Sequence, residues 1–145
     1  MDLFVANGGY AGPQADSLYR NNGNANAWLK LKLIGTVSNR SALGAKVRVK
    51  TTIKGKSFWQ MREISGGDGF FSQNDIRPNF GLGDATVAET IRVEWPSGIV
   101  QELHNVAANQ ILTLTEPAKL EPSVTLTNGL VELKVKSWKG FAYDI

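Results

Sequence analysis

The sequence predicts an all-β domain, an antiparallel β-sandwich or open barrel carrying one long glycine-rich loop. Three observations predict it. Apolar and polar residues alternate through much of the chain, the period-2 pattern of half-buried strands. No segment sustains three turns of helical periodicity. Glycine, proline and asparagine punctuate the alternating runs at turn positions. With 42% hydrophobic and 20% charged residues over 145 positions, the chain has a globular composition and enough length to bury a real core.

The first clean alternation is Trp28-Leu29-Lys30-Leu31-Lys32-Leu33, which puts the leucines on one face and Trp28 with the lysines on the other. Ala45 to Ile53 repeats the pattern over nine residues. Its Ala45, Val47, Val49, Thr51 and Ile53 face inward, and Lys46, Arg48 and Lys50 face water, as in an antiparallel sheet with one wet side. Lys54-Gly55-Lys56 reads as a hairpin turn into Ser57–Ile64. From Ser65 to Gly83 five glycines and Pro78 argue against a regular element through most of the stretch. Thr90–Trp95 alternates again with Ile91, Val93 and Trp95 inward. Pro96-Ser97-Gly98 turns the chain into a return strand, Ile99 to Leu103, and Gln110–Thr115 is a further strand. Pro117 and Pro122 bracket a charged connector. Asn128-Gly129 between Val124–Thr127 and Leu130–Val135 predicts a hairpin, because this dipeptide supplies the two positive-φ residues of a type I′ turn. Phe141, Tyr143 and Ile145 share one face of a last strand. An alternation still running at Ile145 predicts that the sequence is cut from something longer.

Composition and motifs exclude more chemistry than they suggest. Sixteen basic against thirteen acidic residues give a net charge of +3, too small an excess to argue for nucleic acid. The Lys30, Lys32, Lys46, Arg48 and Lys50 faces read as solvated, because aromatics are not interleaved with the charges. There is no cysteine and one histidine, His104, so thiolate sites, disulfides and multi-histidine metal centres are excluded. His104 reads as a surface residue at a strand end rather than a triad member. Gly55-Lys56-Ser57 is not a phosphate loop, since Lys50 stands where its first glycine belongs and a strand follows. Gly67 to Ser72 lacks the third glycine and the βαβ unit of a dinucleotide fingerprint. Asn39-Arg40-Ser41 is an N-glycan sequon that reads by default as a turn. No apolar run approaches the roughly 20 residues of a membrane helix, and the opening residues do not read as a signal peptide. No cofactor, no metal and no catalysis are expected: neither a nucleophile–base pair nor a justified pair of carboxylates is spelled out.

Four ordered blocks carry a resemblance. They are Asn39–Val47 (Asn-Arg-Ser-Ala-Leu-Gly-Ala-Lys-Val), Arg62–Gln73 (Arg-Glu-Ile-Ser-Gly-Gly-Asp-Gly-Phe-Phe-Ser-Gln), Phe80-Gly81-Leu82-Gly83, and Val93–Gly98 (Val-Glu-Trp-Pro-Ser-Gly). Together they resemble the ASPIC/UnbV domain over roughly residues 28–116. Asp2–Gly9 followed by Leu18–Gly23 is similar to the tail of an FG-GAP/VCBS-type repeat, the unit of β-propeller blades in secreted and surface proteins. The resemblance implies three parts: a repeat remnant over 1–27, an ASPIC/UnbV-like β domain over 28–116, and a linker with the start of a further β module over 117–145. It also implies an extracellular or cell-surface location. The repeat's calcium loop would need several oxygen ligands. Only Asp2 remains of it, so no repeat-type calcium site is expected, and Asp68, Asp75 and Asp84 match no calcium motif.

The Gly66–Gly83 loop is the candidate site, since long loops on rigid sheets often bind. Phe70, Phe71 and Phe80 offer apolar area, and Gln73, Asn74, Asp75 and Arg77 offer directional hydrogen bonds, a mixture suited to sugar rings. The structural alternative makes Phe71 and Phe80 core plugs and has Arg62 or Arg77 tie the loop to the sheet. Three functions follow: a non-catalytic module for adhesion or ligand binding, a carbohydrate-binding module using this loop, or an accessory part of a larger enzyme. The partner is a glycan or a surface protein. Self-association through open strand edges at 2–5 and 141–145 is a further expectation.

Overall fold

A computed structural model of the chain describes residues 2–9, 12–13, 15–67, 69, 73–118, 120–127, 130–137 and 142–143. Those residues form strands and turns. In chain order the strands are β1 (Leu3–Val5), β2 (Gly8–Gly9), β3 (Gly12–Pro13), β4 (Ser17–Tyr19), β5 (Ala27–Ile34), β6 (Lys46–Ile53), β7 (Lys56–Glu63), β8 (Asn79–Gly83), β9 (Val87–Glu94), β10 (Val100–Ala107), β11 (Gln110–Thr115), β12 (Leu120–Thr127), β13 (Leu130–Ser137) and β14 (Ala142–Tyr143). The molecule is all-β, as the alternations require, and its centre is a sandwich. One layer is the four-stranded antiparallel sheet β10-β9-β6-β7, and the other is the three-stranded sheet β11-β5-β8.

The inward alternations meet between the layers. Leu29, Leu31, Leu33, Phe80, Leu82 and Leu114 come from the small sheet, and Val47, Val49, Ile91 and Val93 from the large one, all buried. Ala42, Ala45, Ile64 and Trp95 close the ends of the core. Burying aliphatic and aromatic side chains of this size stabilises the fold by roughly 1.5–3 kcal/mol apiece. The β6–β7 hairpin turns at Lys54 (φ 49°) and Gly55 (φ 73°), the two left-handed positions of a type I′ turn.

The outer face of the large sheet is charge-compensated. Glu94 accepts from Arg48 and lies 3.3 Å from Arg92, which also donates to Glu102 at 2.7 Å. Lys50 lies 3.6 Å from Glu89. Trp59 and Met61 stand opposite Lys50 and Arg48 on β7, so aromatic and basic residues do adjoin across strands. Arg48 and Lys50 are nevertheless partnered by carboxylates, as on a solvated face.

Four expectations change. The stretch from Ser65 to Gly83 ends in a strand, β8: Phe80 and Leu82 point inward at period 2, and the outward positions are glycine or asparagine, which masks the pattern. Strands β5 and β11 pair in parallel, Leu29 opposite Gln110 through Ile34 opposite Thr115. The chain crosses from one sheet to the other in the Ala108-Asn109 turn (Asn109 φ 61°), where Asn109 N–H donates to the Trp28 carbonyl at 2.6 Å. It therefore enters the small sheet at the end where β5 begins and runs the same way. The connector after Pro117 is short, since β12 begins at Leu120 and carries Pro122, and β10 continues past His104 to Ala107.

Outside the sandwich, β1 pairs with β4 and β2 with β3. β12 pairs with β13 in a hairpin register that sets Thr127 opposite Leu130, and β14 adds to β13. The expected turn residues Asn128 and Gly129, and Phe141 and Ile145 of the last alternation, lie outside the described residues. No helix among the described residues is long and apolar enough to cross a membrane.

Candidate functional site

The described part of the expected site is a short polar arch, residues 73–78, leading into β8. Its centre is Asp75. The carboxylate accepts from Arg77 Nε at 2.9 and 3.0 Å and from Arg77 Nη2 at 2.7 Å, a bidentate fork. The Arg77 backbone N–H donates to it as well, at 3.0 Å. Lys30 Nζ, from the outer face of β5, donates at 3.0 Å. Hydrogen bonds from Arg77, with Lys30 adding to them, hold the Asp75 carboxyl well below its ordinary value despite some desolvation. The same contact raises Arg77. Asp75 thus ties the loop to the sheet, which is the structural role considered for Arg77. Gln73 and Asn74 are exposed beside it. Phe70 and Phe71 lie outside the described residues, as does Asp68.

Beneath the arch is a cavity of about 420 Å³ lined by Lys32, Leu33, Ile34, Arg40, Ser41, Ile64, Asp75, Ile76 and Arg77. Its floor is apolar, from Leu33 and Ile64 of the core. Its rim is basic. Asp75 is satisfied by two cations, whereas neither Lys32 nor Arg40 forms an ion pair among the described residues. Arg40 arrives there through the turn after β5. The Asn39 carboxamide clamps that turn, accepting from Leu43 N–H at 2.8 Å and donating to the Leu43 carbonyl at 2.9 Å. Ala42 (φ 54°) and Gly44 (φ 88°) complete the bend, so the Asn39–Val47 block is a device for turning a chain. Sequence reasoning missed Lys32, Arg40 and Ser41 as neighbours of Asp75. Their convergence depends on tertiary pairing that no local spacing encodes.

A second polar centre was also missed. Glu116, 2% exposed, follows β11 and turns its carboxylate onto three successive backbone N–H groups, Thr36 at 2.8 Å, Val37 at 2.9 Å and Ser38 at 2.7 Å. Ser38 Oγ donates at 2.8 Å and Ser97 Oγ at 2.5 Å. Burial pushes the carboxyl up, but the hydrogen bonds from Ser97, Ser38 and Thr36 prevail and bring it down to about 2. Glu116 so fastens the end of the small sheet to the β9–β10 turn. Ser97 therefore does more than make that turn.

His104 lies exposed on β10, its Nδ1 3.4 Å from Thr90 Oγ1, and contacts neither centre. No cluster of three or more metal-ligating side chains occurs among the described residues. Asp2 accepts the Asn21 backbone N–H at 2.8 Å. Arg62 lies over the Phe80 ring, 5.6 Å from its centroid, and Gln60 Nε2 donates to the Gly81 carbonyl at 2.7 Å. These two contacts close the open side of the sandwich between β7 and β8.

A search of curated proteins finds no significant match. A model of the ASPIC and UnbV family, by contrast, matches residues 35–121. That span runs from the Glu116-binding loop, through the Asn39 turn, the polar arch and the β9–β10 turn, to the start of β12. With the match covering more than half of its length, the chain belongs to the ASPIC and UnbV family.

Proposed function

We propose that this chain is a non-catalytic binding module of an extracellular or cell-surface protein, and that it acts in adhesion by holding an acidic segment of a surface protein in the cavity under the Asp75 arch. The observation that carries this reading is the basic rim: Lys32 and Arg40 face a cavity whose one carboxylate among the described residues, Asp75, is already neutralised by Lys30 and Arg77. A carboxylate seated there meets two cations and, among the described residues, no unpaired acid, over an apolar floor that weakens competition from water. The similarity of residues 2–23 to an FG-GAP/VCBS-type repeat supports the surface location.

Two features favour binding over turnover. The Ser97 hydroxyl faces a carboxylate whose pKa of about 2 makes it a poor general base near neutral pH. His104 stands apart from both centres. A glycan reading that leans on Phe70 and Phe71 rests on residues outside the described ones.

The test is fluorescence anisotropy with a labelled hexaglutamate peptide. The expected result is saturable binding that weakens at least tenfold between 50 and 300 mM salt, and at least tenfold in Lys32→Glu/Arg40→Glu with an unchanged melting curve. Absence of binding at low salt, or binding indifferent to the double substitution, would overturn the reading.

A further inference from the structure

The outer face of the small sheet holds a second hollow, of about 830 Å³, on the far side of the Lys30–Asp75 ion pair. Its volume falls in the range of small-molecule clefts. One wall is Trp28 on β5, 38% exposed. Register sets Gly81 of β8 opposite Trp28. A Cβ built on Gly81 would meet nothing within 4 Å, so bare backbone and open space lie beside the indole.

Asn21, Asn24, Asn26, Asn79 and Asn109 line much of the rest, and Ile111 adds a second large apolar side chain. The asparagines come from the segment before β5, the start of β8 and the turn between β10 and β11, so the fold gathers them from three separate places. Three of these carboxamides are oriented by backbone donors: Gly23 N–H to Asn21 Oδ1 at 2.8 Å, Asn26 N–H to Asn24 Oδ1 at 2.9 Å, and Trp28 N–H to Asn109 Oδ1 at 3.1 Å. A backbone N–H demands an acceptor, which fixes the oxygen and leaves each –NH₂ as a held donor. Among the described residues the one charged lining residue is Lys30, and Asp75 occupies it.

We propose that this hollow binds an uncharged oligosaccharide. The apolar C–H face of a pyranose packs on the Trp28 indole over the Gly81 floor, and its hydroxyls accept from the asparagine –NH₂ groups. An ionic ligand would find no unpaired charge here. A purely apolar one would strand five carboxamides away from water, which costs free energy for each. The site is separate from the basic cavity, so either proposal can fail alone.

The test is an array of neutral oligosaccharides (β-glucans, chitooligosaccharides, xylans and mannans), followed by calorimetry with the strongest binder. Expected are affinity unchanged between 50 and 500 mM salt, and at least a tenfold loss in Trp28→Ala and in Gly81→Leu, the second of which fills the floor and removes no polar group. Lys32→Glu/Arg40→Glu should leave saccharide binding intact. Should either variant fold poorly, shift mapping on the unaltered chain decides: the Trp28 indole N–H and the asparagine side-chain amides should move on titration. Silence across the array, binding that falls with salt, or shifts confined to other surfaces would overturn the proposal.

Discussion

The backbone N–H groups of Thr36, Val37 and Ser38 share one acceptor, Glu116, and single residues around it matter out of proportion to their size. Glu116→Gln replaces a five-fold acceptor with a group that turns an –NH₂ toward donors. Its expected cost at pH 7 is about 2–3 kcal/mol, read from urea unfolding. The pH dependence follows from the sign of the shift. The folded-state pKa is about 2 against an ordinary 4.5, so this contribution is whole above about pH 4.5 and fades as pH falls toward 2. The gap between parent and Gln variant should therefore narrow between pH 4.5 and pH 2; a constant gap would count against the assignment. Gly35 guards the same loop, because an added Cβ would stand 2.1 Å from the Asn39 carbonyl oxygen. Gly35→Ala should cost about 3 kcal/mol by forcing residues 36–39 to shift, visible as a lowered melting temperature. None of this was legible in advance. Glutamate after a strand and serine in a turn are ordinary surface residues until tertiary structure brings them together.

At the scale of the element, strands with a charged outer face announced themselves. Lys30 and Lys32 beside the leucines of β5, and Lys46, Arg48 and Lys50 beside the valines of β6, made the period visible. β8 hid because its outward positions are Asn79, Gly81 and Gly83, where contrast with Phe80 and Leu82 is lost against a glycine-rich background. Yet β8 is an edge strand that fills the core with its largest fully buried side chain, Phe80. Phe80→Ala should cost about 3–5 kcal/mol, with part of the loss coming from the Arg62 guanidinium that covers the ring. A guanidine titration showing less than 1 kcal/mol would mean that β8 is a loosely held flap. Of the candidate site, the loop and the pairing of Asp75 with Arg77 were within reach of sequence, since residues two apart in an arch can meet. The partnership with Lys30, 45 positions away, was not.

For the whole molecule, strand pairing draws a boundary that the family match does not. The matched span begins at residue 35, but β5, residues 27–34, is the middle strand of the small sheet and supplies Leu29, Leu31 and Leu33 to the core. A fragment of residues 25–118 should melt cooperatively within a few degrees of the full chain, whereas a fragment of 35–121 should show neither dispersed NMR shifts nor a sharp melt. On the β1–β4 ribbon Leu3 and Tyr19 share one face and Phe4 and Leu18 the other, and all four are exposed. A ribbon with exposed apolar side chains on both faces favours association. Sedimentation should show the full chain self-associating with concentration, and the 25–118 fragment should remain monomeric.

The parallel pairing of β5 with β11 also sets an order of events in the cell. Hairpins β6–β7 and β9–β10 close over short distances, and one edge of β5 can pair with β8 after about 50 residues, but its other edge must wait for β11, translated some 80 residues later. At ordinary synthesis rates that interval is roughly 4–16 seconds. Through it that edge of β5 stays unpaired on the nascent chain, and Glu116, directly after β11, then fastens the completed sheet to the loop that follows β5.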